Sequence, residues 1–401
     1  MQRTLIARSL VGLAIATGLA VLGALALSER LPPADREAKV GRLVLAAVLQ
    51  GSDSFVPSGV ASQPNCDILL VGSEWGSIAR LFANGTFDTT TGSIPGYRRV
   101  ARLEDGGAVG AALVWSHNPP FLGVIRPNLW VDSIPLPMHP WGHQWSGPAS
   151  QVRSGLVALA PLGDRDVERR PSNGWTDAPV AFLLDLKGRV VSSVGAVRKR
   201  PGRYLSWLET RLTLGSAGDT ILWVTLSQGT VSGRRTDVGQ SPPVFTATLP
   251  RYVPSPRPAE VVRRLASIQQ GGELAAFSEV PQVSLATVGP NGRIYAVRAY
   301  ATEKEPGPNW YPKRFERWAT TREGLEVYNA TGTLLGAFAM PHANVAWLRV
   351  DHHGRVFVRA GPRNVLVMDD PFYQGTRCPP LPPRVPIDVG DRPSPDPRTE
   401  R

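Results

Sequence analysis

The chain has 401 residues, with 44 Lys and Arg against 33 Asp and Glu and a net charge of +11. Gly (40) and Pro (38) recur between short apolar runs, a composition typical of an all-β protein with many turns. The positive charge comes from scattered Arg, with no basic helix and no zinc-finger spacing, so we predict no nucleic-acid partner. A diffuse positive charge favours anionic partners such as lipid headgroups or acidic glycans.

The first 28 residues predict export. Arg3 and Arg8 precede an uncharged apolar run from Leu10 to Leu27, and Ala24 to Ala26 offer a small-x-small cleavage site. The run is also long enough to span a bilayer, so residues 1–28 are either a signal peptide or an uncleaved membrane anchor. Both alternatives place the rest of the chain outside the cytoplasm, because the two arginines hold the N-terminus inside. The protein is then periplasmic, secreted or anchored to the inner membrane.

Pairs of short apolar runs, each pair joined at a glycine, recur along the remaining chain. Asn84-Gly85, Lys187-Gly188 and Thr331-Gly332 join one set of pairs, and Gly292 and Gly354 close the turns of a second set. Glycine supplies the positive φ that hairpin turns of this kind need. Two such hairpins in series make a four-stranded antiparallel meander.

Six of these units follow one another, near residues 60–95, 100–138, 150–196, 210–253, 283–341 and 345–370. Strand-only units with a period of roughly 40 to 70 residues predict a β-propeller, whose blades pack around an axis and leave few exposed edges. We therefore predict an all-β, six-bladed propeller over residues 29–378. The alternative is a pair of two-sheet β-sandwiches, but sandwich strands rarely repeat as hairpin pairs at this spacing.

The unit "VAWLRVDHHGRVFVRAGPRNVLVMDD" resembles an NHL-type propeller repeat. The resemblance rests on Val350-Asp351, the turn residue Gly354, the aromatic Phe357 and a third strand from Asn364 to Met368. It is clear for the last two units and loose for the first four. Six-bladed propellers of this kind include binding platforms, periplasmic assembly proteins and a few enzymes, so the resemblance implies the fold more than the function.

Closure of the ring is predicted to involve both ends of the chain. The last unit shows only three strands, and Lys39 to Gln50 could supply its outer strand or could form a short helix. Cys66 lies in the first turn of blade one, and Cys378 follows the third strand of blade six. Both points fall on one face beside the closure seam, so we predict a Cys66–Cys378 disulfide.

Two further segments are predicted outside the blades. Pro258 to Gly272 reads as a short helix between blades four and five, with Pro at its start, Gly at its end and Val261, Leu265 and Ile268 on one side. Residues 379–401 are Pro-rich and charged, and are predicted to form a disordered tail with polyproline character.

Long connections are predicted to share one face of the propeller, which we call the long-loop face. Links between second and third strands and links between blades both lie there. They include Gly163 to Pro179, Ser227 to Pro243 and Thr302 to Glu323. Loops of this length are uncommon without a role, so ligand binding is predicted on this face.

The loop between blades two and three holds the first group of candidate binding residues. With His117 from a neighbouring loop, the group is His117, His139, Trp141, His143 and Trp145. The H-x-x-x-H spacing binds a metal when a helix places both His on one side, and Pro140 and Gly142 forbid a helix here. Stacking of a sugar or peptide on the tryptophans is a second alternative. The third is that the tryptophans only cover the blade junction.

A second candidate group lies in the longest connection, where aromatic and basic residues interleave. It consists of Trp310, Tyr311, Arg314 and Trp318. Aromatic and Arg side chains dominate binding hot spots, so this segment is either a partner-binding lid or a loop that buries its own aromatics. His352 and His353 fall on the opposite face and are predicted to be an exposed turn.

No nucleophile signature, phosphate loop or paired-Cys metal spacing occurs in the chain. We therefore predict an exported, monomeric, non-catalytic binding platform for a protein, peptide or glycan, in contact with a membrane only through an uncleaved N-terminus. No cofactor is predicted, and a structural or channel metal is left open. The alternative is a propeller hydrolase or lactonase with a metal in its central channel.

Overall fold

The computed structural model describes residues 39–387 apart from 53–54, 73–76, 92–96, 104–106, 113–120, 137–148, 154–155, 160–175, 179, 195–196, 200–211, 218–219, 227–228, 236–244, 251–282, 284, 290–291, 307–315, 341–344 and 362. These described residues form 28 strands and no α-helix. Residues 1–28 and the predicted helix from Pro258 to Gly272 lie outside them. Among the described residues, the structure contains no helix that could span a bilayer.

Two short strands open the described chain, and three four-stranded antiparallel sheets follow, which we number as blades one to three. The opening strands are β1 (Lys39–Arg42) and β2 (Leu45–Gly51). Blade one is β3 (Pro57–Ser62), β4 (Ile68–Gly72), β5 (Ser77–Leu81) and β6 (Phe87–Thr91). Blade two is β7 (Tyr97–Arg102), β8 (Ala108–Ala112), β9 (Phe121–Ile125) and β10 (Val131–Pro135). Blade three is β11 (Ala149–Arg153), β12 (Leu156–Leu159), β14 (Ala181–Asp185) and β15 (Val190–Val194), beside a separate pair of β13 (Thr176–Ala178) and β16 (Val197–Lys199).

Three more sheets complete the set. Blade four is β17 (Leu212–Ala217), β18 (Thr220–Thr225), β19 (Thr230–Arg235) and β20 (Phe245–Thr248). Blade five is β21 (Leu285–Val288), β22 (Ile294–Pro306), β23 (Glu316–Tyr328) and β24 (Leu334–Ala339). Blade six begins with β25 (Val345–Val350), β26 (Arg355–Ala360) and β27 (Asn364–Asp369), and the last strand of the chain is β28 (Arg384–Ile387).

The first strands of successive blades contact one another in ring order, from β3 through β7, β11, β17 and β21 to β25. Blade six then meets blade one, where Trp347 Nε1 donates a hydrogen bond to the Pro57 carbonyl oxygen at 3.3 Å. The sheets therefore close into a six-bladed β-propeller with these first strands innermost, which confirms the predicted fold class.

Apolar layers between neighbouring blades form the core. Between blades five and six, for example, Tyr295 and Leu325 pack in one cluster with Leu348, Val358 and Met368. Central strands are thus covered on both faces, and β4 (ILLVG) is buried along its whole length. This burial explains why such strands read as continuous apolar runs rather than as an alternating pattern.

The predicted closing segment Lys39 to Gln50 forms two strands that serve different blades. β2 pairs antiparallel with β27, with Leu49 opposite Val365, and supplies the missing fourth strand of blade six as predicted. β1 instead pairs parallel with β24, the outer strand of blade five, with Val40 opposite Ala337. The N-terminal segment therefore ties together two blades.

The prediction of a disordered tail from residue 379 is wrong as far as Ile387. β28 pairs parallel with β2 as a fifth strand of blade six, and Leu381, Val385 and Ile387 are buried in the core between blades six and one. Pro386 fits there because β28 is the edge strand, where a missing N–H breaks no ladder. Residues 388–401 lie outside the described part.

The face opposite the long-loop face carries tight turns, and we call it the short-turn face. Its turns close at the predicted glycines Gly85, Gly188, Gly292, Gly332 and Gly354, whose φ lies between 73° and 89°. One predicted long loop, Ser227 to Pro243, is misassigned, because it contains β19. Its remaining part, residues 236–244, lies outside the described residues.

Much of the predicted loop from Thr302 to Glu323 is a β-hairpin rather than a loop. β22 and β23 pair from Ile294–Tyr328 out to Pro306–Glu316, with two register shifts. The neighbouring strands β21 and β24 pair only with residues 294–297 and 324–328. Residues 299–306 and 316–323 therefore extend past the blade as a two-stranded ribbon, which we call the hairpin arm.

Candidate functional site at the closure seam

The candidate binding residues predicted from sequence fall in parts of the chain that the structure does not describe. This applies to His117, His139, Trp141, His143, Trp145, Trp310, Tyr311 and Arg314. Trp318 lies in the hairpin arm, where its backbone pairs with Lys304. The grouping of these residues into a site stays a prediction. The best-defined group of chemically active side chains lies at the closure seam, where blade six meets blade one on the short-turn face.

The predicted disulfide is present in the structure. Cys66 and Cys378 are bonded, their Cα atoms are 5.6 Å apart, and they are separated by 312 residues in sequence. Cys66 lies in the turn between β3 and β4, and Cys378 lies in the segment that crosses from blade six to blade one. Pro382 from the same segment packs against the turn at Gly85, where an added Cβ would come within 2.6 Å of it. The disulfide thus fastens the C-terminal segment over the seam.

Cys66 occupies a turn position that is glycine in other blades. Its φ is +73°, as for Gly292 and Gly354 in the first turns of blades five and six. The turns are built alike, since Cys66 N donates to the Gln63 carbonyl oxygen at 3.1 Å and Gly292 N donates to the Gly289 carbonyl oxygen at 3.3 Å. A side chain in this left-handed region is disfavoured for any residue with a Cβ. This strained conformation at Cys66 places its sulfur in the disulfide over the seam.

Asp351 joins the two blades by hydrogen bonds. Its carboxylate is buried and accepts a hydrogen bond from Ser62 Oγ of blade one at 2.6 Å. The other carboxylate oxygen accepts from the backbone N–H groups of His353 and Arg355, at 2.8 Å and 2.7 Å. The carboxylate therefore both shapes the first turn of blade six and holds it against blade one.

His353 points into the seam, which sequence reasoning missed. His352 is exposed as predicted, but His353 is half-buried and its Nε2 lies 2.9 Å from the Gln63 carbonyl oxygen of blade one. A nitrogen of His353 and the sulfurs of Cys66 and Cys378 all lie within 4.8 Å of one another. Among the described residues, this is the one group of three His, Cys, Asp or Glu side chains that meets so closely. The sequence held one signal for this inward position. The first turns of blade one (QPNC, Gln63 to Cys66) and of blade six (DHHG, Asp351 to Gly354) align, and these two blades are neighbours in a closed ring.

Arg355 adds a positive charge beside the cysteines. Its guanidinium donates to the carbonyl oxygens of Cys66 at 3.1 Å and of Pro379 at 3.3 Å. Burial lowers the pKa of this guanidinium, but an Arg side chain remains protonated in proteins. The seam thus combines two sulfurs, an imidazole and a fixed cation.

A second buried polar cluster lies at the junction of blades four and five. The Arg298 guanidinium pairs with the Glu326 carboxylate, and the single Tyr328 hydroxyl proton is shared between that carboxylate and the Pro250 carbonyl oxygen. Arg298 Nη2 also donates to the Leu249 carbonyl oxygen at 2.8 Å. Burial raises the pKa of the Tyr328 hydroxyl, and the Glu326 charge adds to that shift. Because these partners are all internal, the cluster joins blades rather than offering a ligand site.

The six innermost strands surround the central channel, and their charged residues are all arginines. Together β3, β7, β11, β17, β21 and β25 contain five arginines and no Lys, Asp, Glu or His. The arginines are Arg98, Arg99, Arg102, Arg153 and Arg349. Calcium and magnesium require several oxygen ligands, mainly carboxylates, and zinc requires His, Cys or carboxylate ligands. None of the six innermost strands supplies such a side chain.

A cleft of about 470 Å³ opens at the long-loop end of blade six. It is lined by the ends of β2 and β28 and the start of β27, with Gln50, Arg363, Asn364 and Ile387 among its residues. Its volume is in the range of small-ligand pockets. The cleft places one arginine and two amide side chains beside the long-loop face.

No family model matches the chain, and no curated protein matches it. Solved structures with some similarity include a calcium-binding protein, regucalcin, from Agrobacterium tumefaciens (12% identity, 86% of this chain and 99% of that one, TM-score 0.46). A gluconolactonase from Xanthomonas campestris has 12% identity over 81% of this chain and 88% of that one, with a TM-score of 0.45. A protein of unknown function from Bacteroides thetaiotaomicron has 9% identity over 82% and 75%, with a TM-score of 0.46. Similarity this low assigns no activity, and the NHL-type resemblance stays a prediction.

Proposed function

We propose that this chain is an exported, non-catalytic binding platform that takes a protein, peptide or glycan ligand on its long-loop face. The observation that carries the proposal is the unequal construction of the two faces. On the short-turn face most strands are joined by tight turns such as 82–86, 185–189 and 329–333. The other face carries the hairpin arm, and the long segments that link β10 to β11 and β20 to β21 in sequence leave and re-enter the described part there.

The hairpin arm is the part of this face best suited to hold a partner. It extends past its blade, and its described backbone pairs only within the arm. The segment from 299 to 323 includes Trp310, Tyr311, Arg314 and Trp318, the residue types that dominate binding hot spots. A paired two-stranded ribbon loses less conformational entropy on binding than an unpaired loop does.

Export is supported by the closure disulfide. Disulfides persist in oxidising compartments such as the periplasm and the extracellular space, and they are rare in the cytosol. Cys66 and Cys378 are the only two cysteines of the chain, and they are bonded to each other. This pairing agrees with the export segment predicted in residues 1–28.

The innermost strands weigh against the alternative of a hydrolase or lactonase with a channel metal. Their sequences contain no aspartate, glutamate or histidine that could act as a metal ligand. Elemental analysis of the purified chain addresses this alternative directly. Stoichiometric calcium or zinc in the oxidised protein would favour the enzyme and contradict the binding platform.

The experiment for the binding function compares the intact chain with one that lacks the hairpin arm. Residues 300–322 are replaced by Asn-Gly, which closes a tight turn on the Ala299–Glu323 pair. Both chains are crosslinked in envelope extracts, and both are applied to a glycan array. We expect the arm-deleted chain to keep its far-UV spectrum. The amount of ligand that it captures should be at least about tenfold lower than the amount captured by the intact chain. Equal capture by the two folded chains would refute the arm as the binding element.

A further inference from the structure

We propose that reduction of the Cys66–Cys378 disulfide converts the closure seam into a zinc site, with the two thiolates and the His353 imidazole as protein ligands. This inference concerns the short-turn face and is independent of the ligand proposed for the long-loop face. Sulfur and imidazole ligands in a four-coordinate arrangement favour zinc over calcium or magnesium. A water molecule would complete the coordination.

The positions of the three ligand atoms fit this conversion. They already lie within 4.8 Å of one another. Zn–S bonds of about 2.3 Å and Zn–N bonds of about 2.0 Å place tetrahedral ligands roughly 3.5 to 3.8 Å apart. Separation of the two sulfurs and a small approach of the imidazole reach that spacing. All three side chains are half-buried, so the group is partly open to solvent.

The orientation of the imidazole favours metal binding. His353 Nε2 faces the Gln63 carbonyl oxygen at 2.9 Å, and a carbonyl can only accept a hydrogen bond. The proton of the neutral ring therefore belongs on Nε2, which leaves the lone pair of Nδ1 free. Histidine ligands of metals are held in this way, with the second nitrogen donating to a backbone carbonyl.

A fixed positive charge lies beside the backbone of both cysteines. The Arg355 guanidinium donates to the carbonyl oxygens of Cys66 and of Pro379, the residue that follows Cys378. Cysteine binds metal as the thiolate. Two thiolates, a neutral imidazole and Zn²⁺ together carry no net charge, which suits a half-buried site.

The reaction is an ordinary exchange with a dithiol reductant. The dithiol gives up two electrons and two protons and becomes a cyclic disulfide, while Cys66 and Cys378 each gain a hydrogen. Zn²⁺ then displaces the two thiol protons. The seam persists in the reduced chain because β2 still pairs with β27 and Ser62 still donates to Asp351.

The test uses the full chain, without a His-containing tag, reduced by a phosphine and desalted without oxygen. Co²⁺ is added as the spectroscopic probe. We expect sulfur-to-cobalt charge-transfer bands and the visible bands of tetrahedral cobalt at one equivalent, displaced by Zn²⁺. The oxidised chain should show neither. His353→Ala should weaken Zn²⁺ binding at least about tenfold, whereas the matched control His352→Ala, at the exposed neighbour, should leave it unchanged.

Three results would overturn the proposal. The first is a reduced chain that keeps its far-UV β spectrum but shows no sulfur-to-cobalt bands. The second is equal metal affinity in the His353→Ala chain, which would mean that the thiols bind metal without the seam. The third is loss of the β spectrum on reduction, because the proposed site requires the seam to survive.

Discussion

Removal of the closure disulfide tests the largest stabilising effect that the structure assigns to one bond. In the double variant Cys66→Ser/Cys378→Ser, the unfolded chain regains the freedom of a loop that spans 312 residues. The loop-entropy relation gives about 5.7 kcal/mol at 25 °C for a loop of this length. Structure retained in the unfolded chain reduces this value, so we expect a loss of about 3–5 kcal/mol in the free energy of unfolding.

A second variant separates the crosslink from the backbone strain at residue 66. Cys66→Gly/Cys378→Ser removes the same bond but places glycine where φ is +73°. Glycine adopts this region without the Cβ penalty, so this variant should be more stable than the serine pair by about 1 kcal/mol.

Equilibrium urea unfolding of the three chains, followed by tryptophan fluorescence and far-UV circular dichroism, measures both differences. The wild-type chain, denatured without a reductant, should show no free thiols. A loss below about 1 kcal/mol in the serine pair would refute the entropic argument, and would mean that β2 and β28 alone hold the ring closed. A glycine pair no more stable than the serine pair would refute the strain argument.

Three further predictions concern buried parts of the fold. Glu326→Gln removes the carboxylate that pairs with the buried Arg298 guanidinium and should lower the free energy of unfolding by about 3–5 kcal/mol, measured in urea. A chain that ends at Pro379 should lose about 3–6 kcal/mol, since three buried apolar side chains leave the core, whereas a chain that ends at Ile387 keeps them and should match the wild type. Burial raises the pKa of Tyr295, beside the Asp370 carboxylate, above its ordinary value of about 10. The unfolded state therefore releases this proton first, and stability should fall as the pH rises above about 10.

Each of these predictions has an outcome that would contradict it. If the free energy of unfolding of the Glu326→Gln chain lay within about 1 kcal/mol of the wild-type value, internal hydrogen bonds alone would stabilise the buried Arg298 charge. Equal stability of the two truncated chains would restore the expectation of a disordered tail. Spectrophotometric titration that shows all tyrosines ionising near pH 10 in a folded chain would contradict the burial of Tyr295.

The blades were predictable because their signals are local. Hairpin turns need a residue that tolerates positive φ, and the glycines at 85, 188, 292, 332 and 354 mark them in the sequence. Burial on both faces produces the continuous apolar runs between those turns. The predicted disulfide followed from the same reasoning, since a blade count places both cysteines on one face of a closed ring.

The candidate site was predictable only in part. His353 sits in an Asp-x-His-Gly turn that looks solvent-exposed, and its inward position depends on the Gln63 carbonyl of a blade far away in sequence. β28 was missed because its alternating Val385 and Ile387 are hidden among prolines. The hairpin arm was taken for a loop because Gly and Pro interrupt the segment that links its strands.

The sequence alone determined the all-β class, the number and order of the blades and the cysteine pair, because turn chemistry and strand burial act over a few residues. Tertiary structure decided which segments serve as outer strands, where the N- and C-terminal segments lie and which side chains meet at the closure seam. Those outcomes depend on contacts between residues about 290 apart in sequence, such as Ser62 with Asp351 and Gln63 with His353. No local pattern specifies such pairs, because they form only when the ring closes.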